Sequence, residues 1–126
     1  MDERTDAPPP RRPSFVYDVG DEPDPRFSLA NERTFLAWVR TALAMVAGAV
    51  ALHSLQLPAS SWLRTTLVLL LLLTGAGCTL LAFVRWARVE RAMRLHRPLP
   101  PFSLGWALTA AVVLVALLLA VALTWA

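Results

Sequence analysis

Ser28-Leu29-Ala30-Asn31-Glu32-Arg33-Thr34-Phe35-Leu36-Ala37-Trp38-Val39-Arg40-Thr41 organises the chain. It is the one place where a run of polar side chains passes straight into an apolar segment of membrane length. On a helix, at about 100° per residue, Arg33 and Arg40 point the same way, because seven residues make nearly two turns. The same line continues through Ala37, Ala44, Ala47, Gly48 and Ala51, all small. The opposite side carries Phe35, Trp38, Val39, Val46 and Ala49. Such a helix is expected to lie on protein along its small, cationic line and on lipid along the other.

Working outward, the chain of 126 residues is 56% hydrophobic, with a mean hydropathy of +0.52. Soluble domains average about 45–50% apolar. The excess sits in three blocks, which implies an integral membrane protein. The sequence pI near 10.4 does not imply nucleic acid, because the arginines gather at the ends of apolar segments, where membrane topology places them. A lone cysteine, Cys78, excludes an intrachain disulfide and falls among small residues inside the second block.

Three membrane spans are expected, at about 35–56, 62–84 and 103–125, giving an all-α membrane protein. Residues 1–24 are Pro-rich and acidic and read as a disordered cytoplasmic tail. Residues 25–126 form the three-helix domain. Seven acids and four arginines precede residue 27, a net −3, whereas two acids and eight arginines follow, a net +6. Asp24-Pro25 reads as an N-cap with proline at the first helical position; Ser28 is a second candidate cap, so the first helix starts at 25 or 29. That first span ends at Leu57-Pro58. In the second, Trp62 and Trp86 bracket the apolar run. Thr74, Gly75 and Cys78 supply small residues for close helix approach, with Ala82 continuing the pattern. Helical character runs on through the arginine-rich stretch to Leu95, and Pro98, Pro100 and Pro101 stop it. The third span starts at Ser103 as a cap, lies between Trp106 and Trp125, carries only Thr109 and Thr124 as polar residues, and reads as the outer, lipid-facing helix.

Arginines flank the first span and fill 85–97, but the 56–61 loop has none. The positive-inside rule then puts the N-terminus in the cytoplasm and the C-terminus outside. Arg40 lies roughly 7 Å past the start of the first apolar run. It pairs with a carboxylate, of which Glu32 is the only one nearby, or faces water or an anion, or reaches back to the interface. Glu32 has no helical partner at the favoured three- or four-residue spacing. One of Arg85, Arg88 or Arg91, from this chain or another copy, is the expected cation; the alternative is stabilisation of the helix start by the dipole. Asn31 offers an amide for an inter-helix hydrogen bond. His53 and His96 fall on opposite sides of the membrane, so no metal site is expected. No nucleophile motif or phosphate loop is present, so no enzyme and no cofactor are expected.

Leu29 to Thr41 resembles the signature of the YidH-like family of small bacterial inner-membrane proteins, whose domain is one of unknown function (DUF202). The later helices match in layout. The same domain is similar to the membrane part of the fungal vacuolar transporter chaperone (VTC) complex, which makes and translocates polyphosphate. The resemblance implies three-helix units around a central pore, with Glu32 and Arg33 at the first-helix acid and base positions. One of Arg85, Arg88 or Arg91 would take the second-helix basic role. The chain lacks a polymerase or phosphate-sensing domain, so catalysis is not implied. The resulting expectation is a self-associating inner-membrane protein in contact with lipid, serving as a conduit for phosphate or polyphosphate anions or as its membrane subunit. The alternative is a non-transporting scaffold or accessory subunit that binds anionic lipids or a partner protein.

Overall fold

A computed structural model describes residues 9–55, 60–101 and 103–124. A single helical turn, α1 (Ser14–Tyr17), precedes three long helices: α2 (Pro25–Ser54), α3 (Ser61–Arg94) and α4 (Ser103–Thr124). All three long helices are long and apolar enough to cross a membrane. At 1.5 Å per residue, α2 and α3 measure about 45 and 51 Å, well beyond the roughly 30 Å hydrocarbon core. The end where α2 begins and α3 finishes therefore projects past the apolar zone, and that end carries most of the arginines.

Helix α2 begins at the earlier of its two expected starts. Asp24 caps it by accepting the Arg26 N–H at 2.9 Å, and Pro25 sits in the first turn. Ser28 is inside the helix and its hydroxyl is used elsewhere. The expected end at Leu57-Pro58, the cap side chain of Ser103 and the interfacial Trp125 lie outside the described residues or side chains. Helix α3 ends as a Schellman motif, with the Arg97 N–H on the Ala92 carbonyl (2.9 Å) and the His96 N–H on Met93 (3.3 Å). His96 takes the left-handed conformation there, at φ 53°.

Helices α2 and α3 pack antiparallel along most of their length, and α4 lies against α3. The contact line of α2 is Asn31, Ala42, Met45 and Ala49. Met45, Ala49 and Leu71 form the core, joined by Leu52, Val68, Leu108 and Val115. Close approach depends on Gly75, where an added Cβ would stand 3.1 Å from the Ala42 carbonyl oxygen. One turn on, the Cys78 thiol donates to the Trp38 carbonyl at 3.9 Å. Gly75 and Cys78 thus pack as their small size suggests, and Thr74 is half-buried beside them. Helix α4 buries Ala122 and leaves most of its length exposed, as suits an outer helix.

The side of α2 that meets α3 differs from the expected one. Ala49 is buried and Trp38 half-buried on α3, although both lie on the side read as lipid-facing. Ala37, Arg40, Ala44, Ala47 and Ala51 remain exposed, with Gly48 half-buried near Leu71. The physical reason is the 28–31 turn: Asn31 needs a buried hydrogen-bond partner, and satisfying it turns the Asn31–Ala42–Ala49 side toward α3.

The N-terminal segment also differs from the expected tail over the part that is described. Residues 1–8 lie outside it. Residues 9–24 lie across the end of α3, with Val16 fully buried at 0% exposure. Composition underestimates this segment because one valine, one tyrosine and one glutamate carry its docking.

Candidate functional site

Two clusters occupy the arginine-bearing end. The first joins α2 to α3. The Ser28 hydroxyl donates to Glu90 Oε1 at 2.7 Å. The Asn31 amide donates to the Trp86 carbonyl at 3.0 Å and to Glu90 Oε2 at 3.4 Å. Asn31 and Glu90 are 6% and 4% exposed. Asn31 thus makes the inter-helix bond that its position suggests. Glu90 was not singled out by the sequence reading, although a lone acid inside a run of five arginines is the signal that identifies it. Its oxygens are held by neutral donors from α2, so it fastens the helix pair.

The second cluster docks the N-terminal segment. Arg94 is 3% exposed, and its guanidinium lies 5.0 Å above the Tyr17 ring. It donates to the Tyr17 carbonyl (3.3 Å) and to Glu22 Oε2 (3.2 Å); its Nε has no hydrogen-bond partner among the described residues. Arg11 pairs through both terminal nitrogens with the two oxygens of Glu22 and lies over the same tyrosine ring at 5.0 Å. The Arg11 hydrogen bond holds the Glu22 carboxyl below the usual carboxylate range; desolvation opposes it, and the charges of Arg11 and Arg94 add to the lowering. Glu22 in turn raises Arg11 above its ordinary value. Arg91 donates to the Phe15 carbonyl at 2.6 Å. The backbone seals the contact: the Asp21 N–H donates to the Arg94 carbonyl at 3.1 Å, and Gly20 at φ +60° passes directly over that carbonyl. Among the described residues, the α3 arginine paired with a carboxylate is Arg94, through Glu22, and none of Arg85, Arg88 or Arg91 pairs with Glu32 as expected.

The remaining expected residues stand at the surface. Arg33 and Arg40 are exposed, on the side of α2 turned away from α3. Neither has an ion-pair or hydrogen-bond partner among the described residues, and the same holds for Glu32. Glu32 lines an open groove of about 310 Å³ with Phe35, Leu36, Phe83 and Trp86. The rings of Phe83 and Trp86 lie 5.7 Å apart in its wall. Arg85 is half-buried, and Arg88, Arg91 and Arg97 rim a second shallow groove of about 210 Å³ with Pro98 and Pro100. No group of three metal-ligating side chains comes together among the described residues. Exposed guanidinium groups at a membrane boundary bind anions, by charge and by paired N–H donors.

Residues 26–92 match the family described as Domain of unknown function (DUF202). The chain is 51% identical over 83 residues to the Inner membrane protein YidH of Escherichia coli K12, covering 65% of this chain and 72% of that protein. It is 48% identical over 83 residues to an uncharacterized protein of Mycobacterium tuberculosis, covering 63% of this chain and 66% of the relative. No solved structure matches.

Proposed function

For a chain that belongs to the DUF202 family and is a multi-pass protein of the bacterial inner membrane, we propose a self-associating anion conduit, or the membrane subunit of one. The observation that carries this reading is the open line on α2. Arg33, Ala37, Arg40, Ala44, Ala47 and Ala51 run the length of the helix and are taken up by neither α3 nor α4. Small residues let parallel helices approach closely in lipid, where burial of apolar surface supplies no drive. Copies of α2 gathered around an axis bring Arg33 and Arg40 into rings. Rings of arginine favour anions, and the flat guanidinium suits phosphate oxygens, including those of a phosphate chain. In this reading the arginine-bearing end is cytoplasmic, as the distribution of arginines favours.

Reconstituted liposomes test it. Anion or short-chain polyphosphate flux through the purified oligomer is expected, falling severalfold in Arg40→Ala. Absence of flux from a well-folded oligomer, or flux unchanged in both Arg33→Ala and Arg40→Ala, removes the conduit. Arginine-dependent binding to anionic vesicles without flux favours a lipid-binding scaffold, a role for which the exposed Arg88, Arg91 and Arg97 are suitably grouped.

A further inference from the structure

The groove around Glu32 raises a separate question: what offsets a carboxylate at the edge of the apolar zone? Glu32 stands three residues before Phe35 and has no cation among the described residues. Its neighbours in the groove are aromatic, Phe35, Phe83 and Trp86. A carboxylate beside aromatic faces is a receptor for a guanidinium, which pairs with the acid and stacks on the rings.

We propose that this groove takes Arg33 of a second copy of the chain. The inference rests on the self-association proposed above and names its interface. The argument is charge complementarity at matched depth. Copies related by rotation about the membrane normal hold α2 parallel, so residues of like number lie at like depth. Glu32 and Arg33 differ by about 1.5 Å along the helix and by about 100° around it. One copy's acid then meets the next copy's base. Below that pair the two surfaces are also complementary in size. Leu36, Leu43 and Val50, exposed on the side of Glu32, meet Ala37, Ala44 and Ala51, exposed on the side of Arg33, each at the same level. A two-fold pair about the membrane normal makes the Glu32–Arg33 contact twice, and a larger ring repeats it from each copy to the next. In that ring Arg33 is engaged by Glu32, and Arg40, nearly two turns deeper, is the cation left to face the axis.

The test uses full-length protein in a Cys78→Ala background. Glu32→Cys and Arg33→Cys chains are co-expressed with different tags and oxidised in the membrane. Mixed cross-links are expected severalfold above same-site ones; same-site cross-links predominating, or none, overturn the interface. In parallel, Glu32→Arg and Arg33→Glu each raise the concentration at half-dissociation by about tenfold or more, and the double reversal restores it. Failure of the double variant to recover, with helicity intact, also overturns it. A monomer that carries phosphatidylethanolamine, lost in Glu32→Gln, overturns it in favour of a lipid ammonium in the groove. An oligomer with arginine-dependent flux but no mixed cross-link sinks this interface and leaves the conduit. Mixed cross-links in a folded oligomer that carries no flux support the interface and sink the conduit.

Discussion

Substituting Gly20 isolates the docking of the N-terminal segment from everything in the membrane. Gly20 holds φ +60°, and a Cβ placed there falls 2.0 Å from the Arg94 carbonyl oxygen and 2.6 Å from its carbon. Both sides of the clash are backbone, so no rotamer change relieves it. In Gly20→Ala the left-handed conformation costs about 1–2 kcal/mol. Restoring an ordinary contact needs the two backbones to part by roughly 1 Å. That movement breaks the 3.1 Å bond from the Asp21 N–H to the Arg94 carbonyl, a further loss of about 1 kcal/mol. The lower entropy of the alanine chain when undocked works the other way and offsets up to about 1 kcal/mol of this loss. The net loss, about 2 kcal/mol, raises the undocked population by roughly thirtyfold. Hydrogen exchange in detergent micelles reads this directly. Amides of residues 16–21 lose protection by that order, while those of α2 and α3 within the apolar zone keep theirs. Protection within threefold of the wild type would refute the reading that this backbone crossing holds the segment in place.

Three further outcomes follow from the same contacts. Gly75→Val forces α2 from α3 against the Ala42 carbonyl and lowers stability by about 1–3 kcal/mol, measured by thermal unfolding in detergent, whereas Gly77→Ala, with nothing within 4 Å of the added methyl, costs nothing and serves as the control. Glu90→Ala strips the acceptor from the Ser28 hydroxyl and an acceptor from the Asn31 amide and costs about 1–3 kcal/mol in the same assay; Glu90→Gln, which keeps one acceptor oxygen, costs less. Because the folded Glu22 carboxyl titrates below its ordinary range, the stability that it lends to the docked segment is fully present above that range and is lost as pH falls through the folded value. Exchange protection of residues 16–21 should therefore hold steady down to the ordinary carboxylate range and fall in stronger acid, and Glu22→Gln should abolish that dependence.

The three long helices are legible in the sequence. Apolar runs of membrane length admit little else, since a buried backbone in lipid must satisfy its own hydrogen bonds. The sequence also offered Asp24-Pro25 as one of two starts for α2, and it placed the extension of α3 beyond the apolar zone to its proline stop and Asn31 as a bond between helices, because caps, prolines and a polar amide beside an apolar run act locally. Tertiary structure alone decided the partners. Periodicity distinguishes the sides of α2 but does not say which neighbour takes each one, so the Ala49 side went to α3 and the small line stayed open. Antiparallel register brings Ser28 and Asn31 to Glu90, some sixty residues away, and brings Glu22 to Arg94 ahead of the other arginines on α3. Such pairings depend on how far two helices slide past each other, a quantity set by the whole length of their contact and written in no single stretch of the chain.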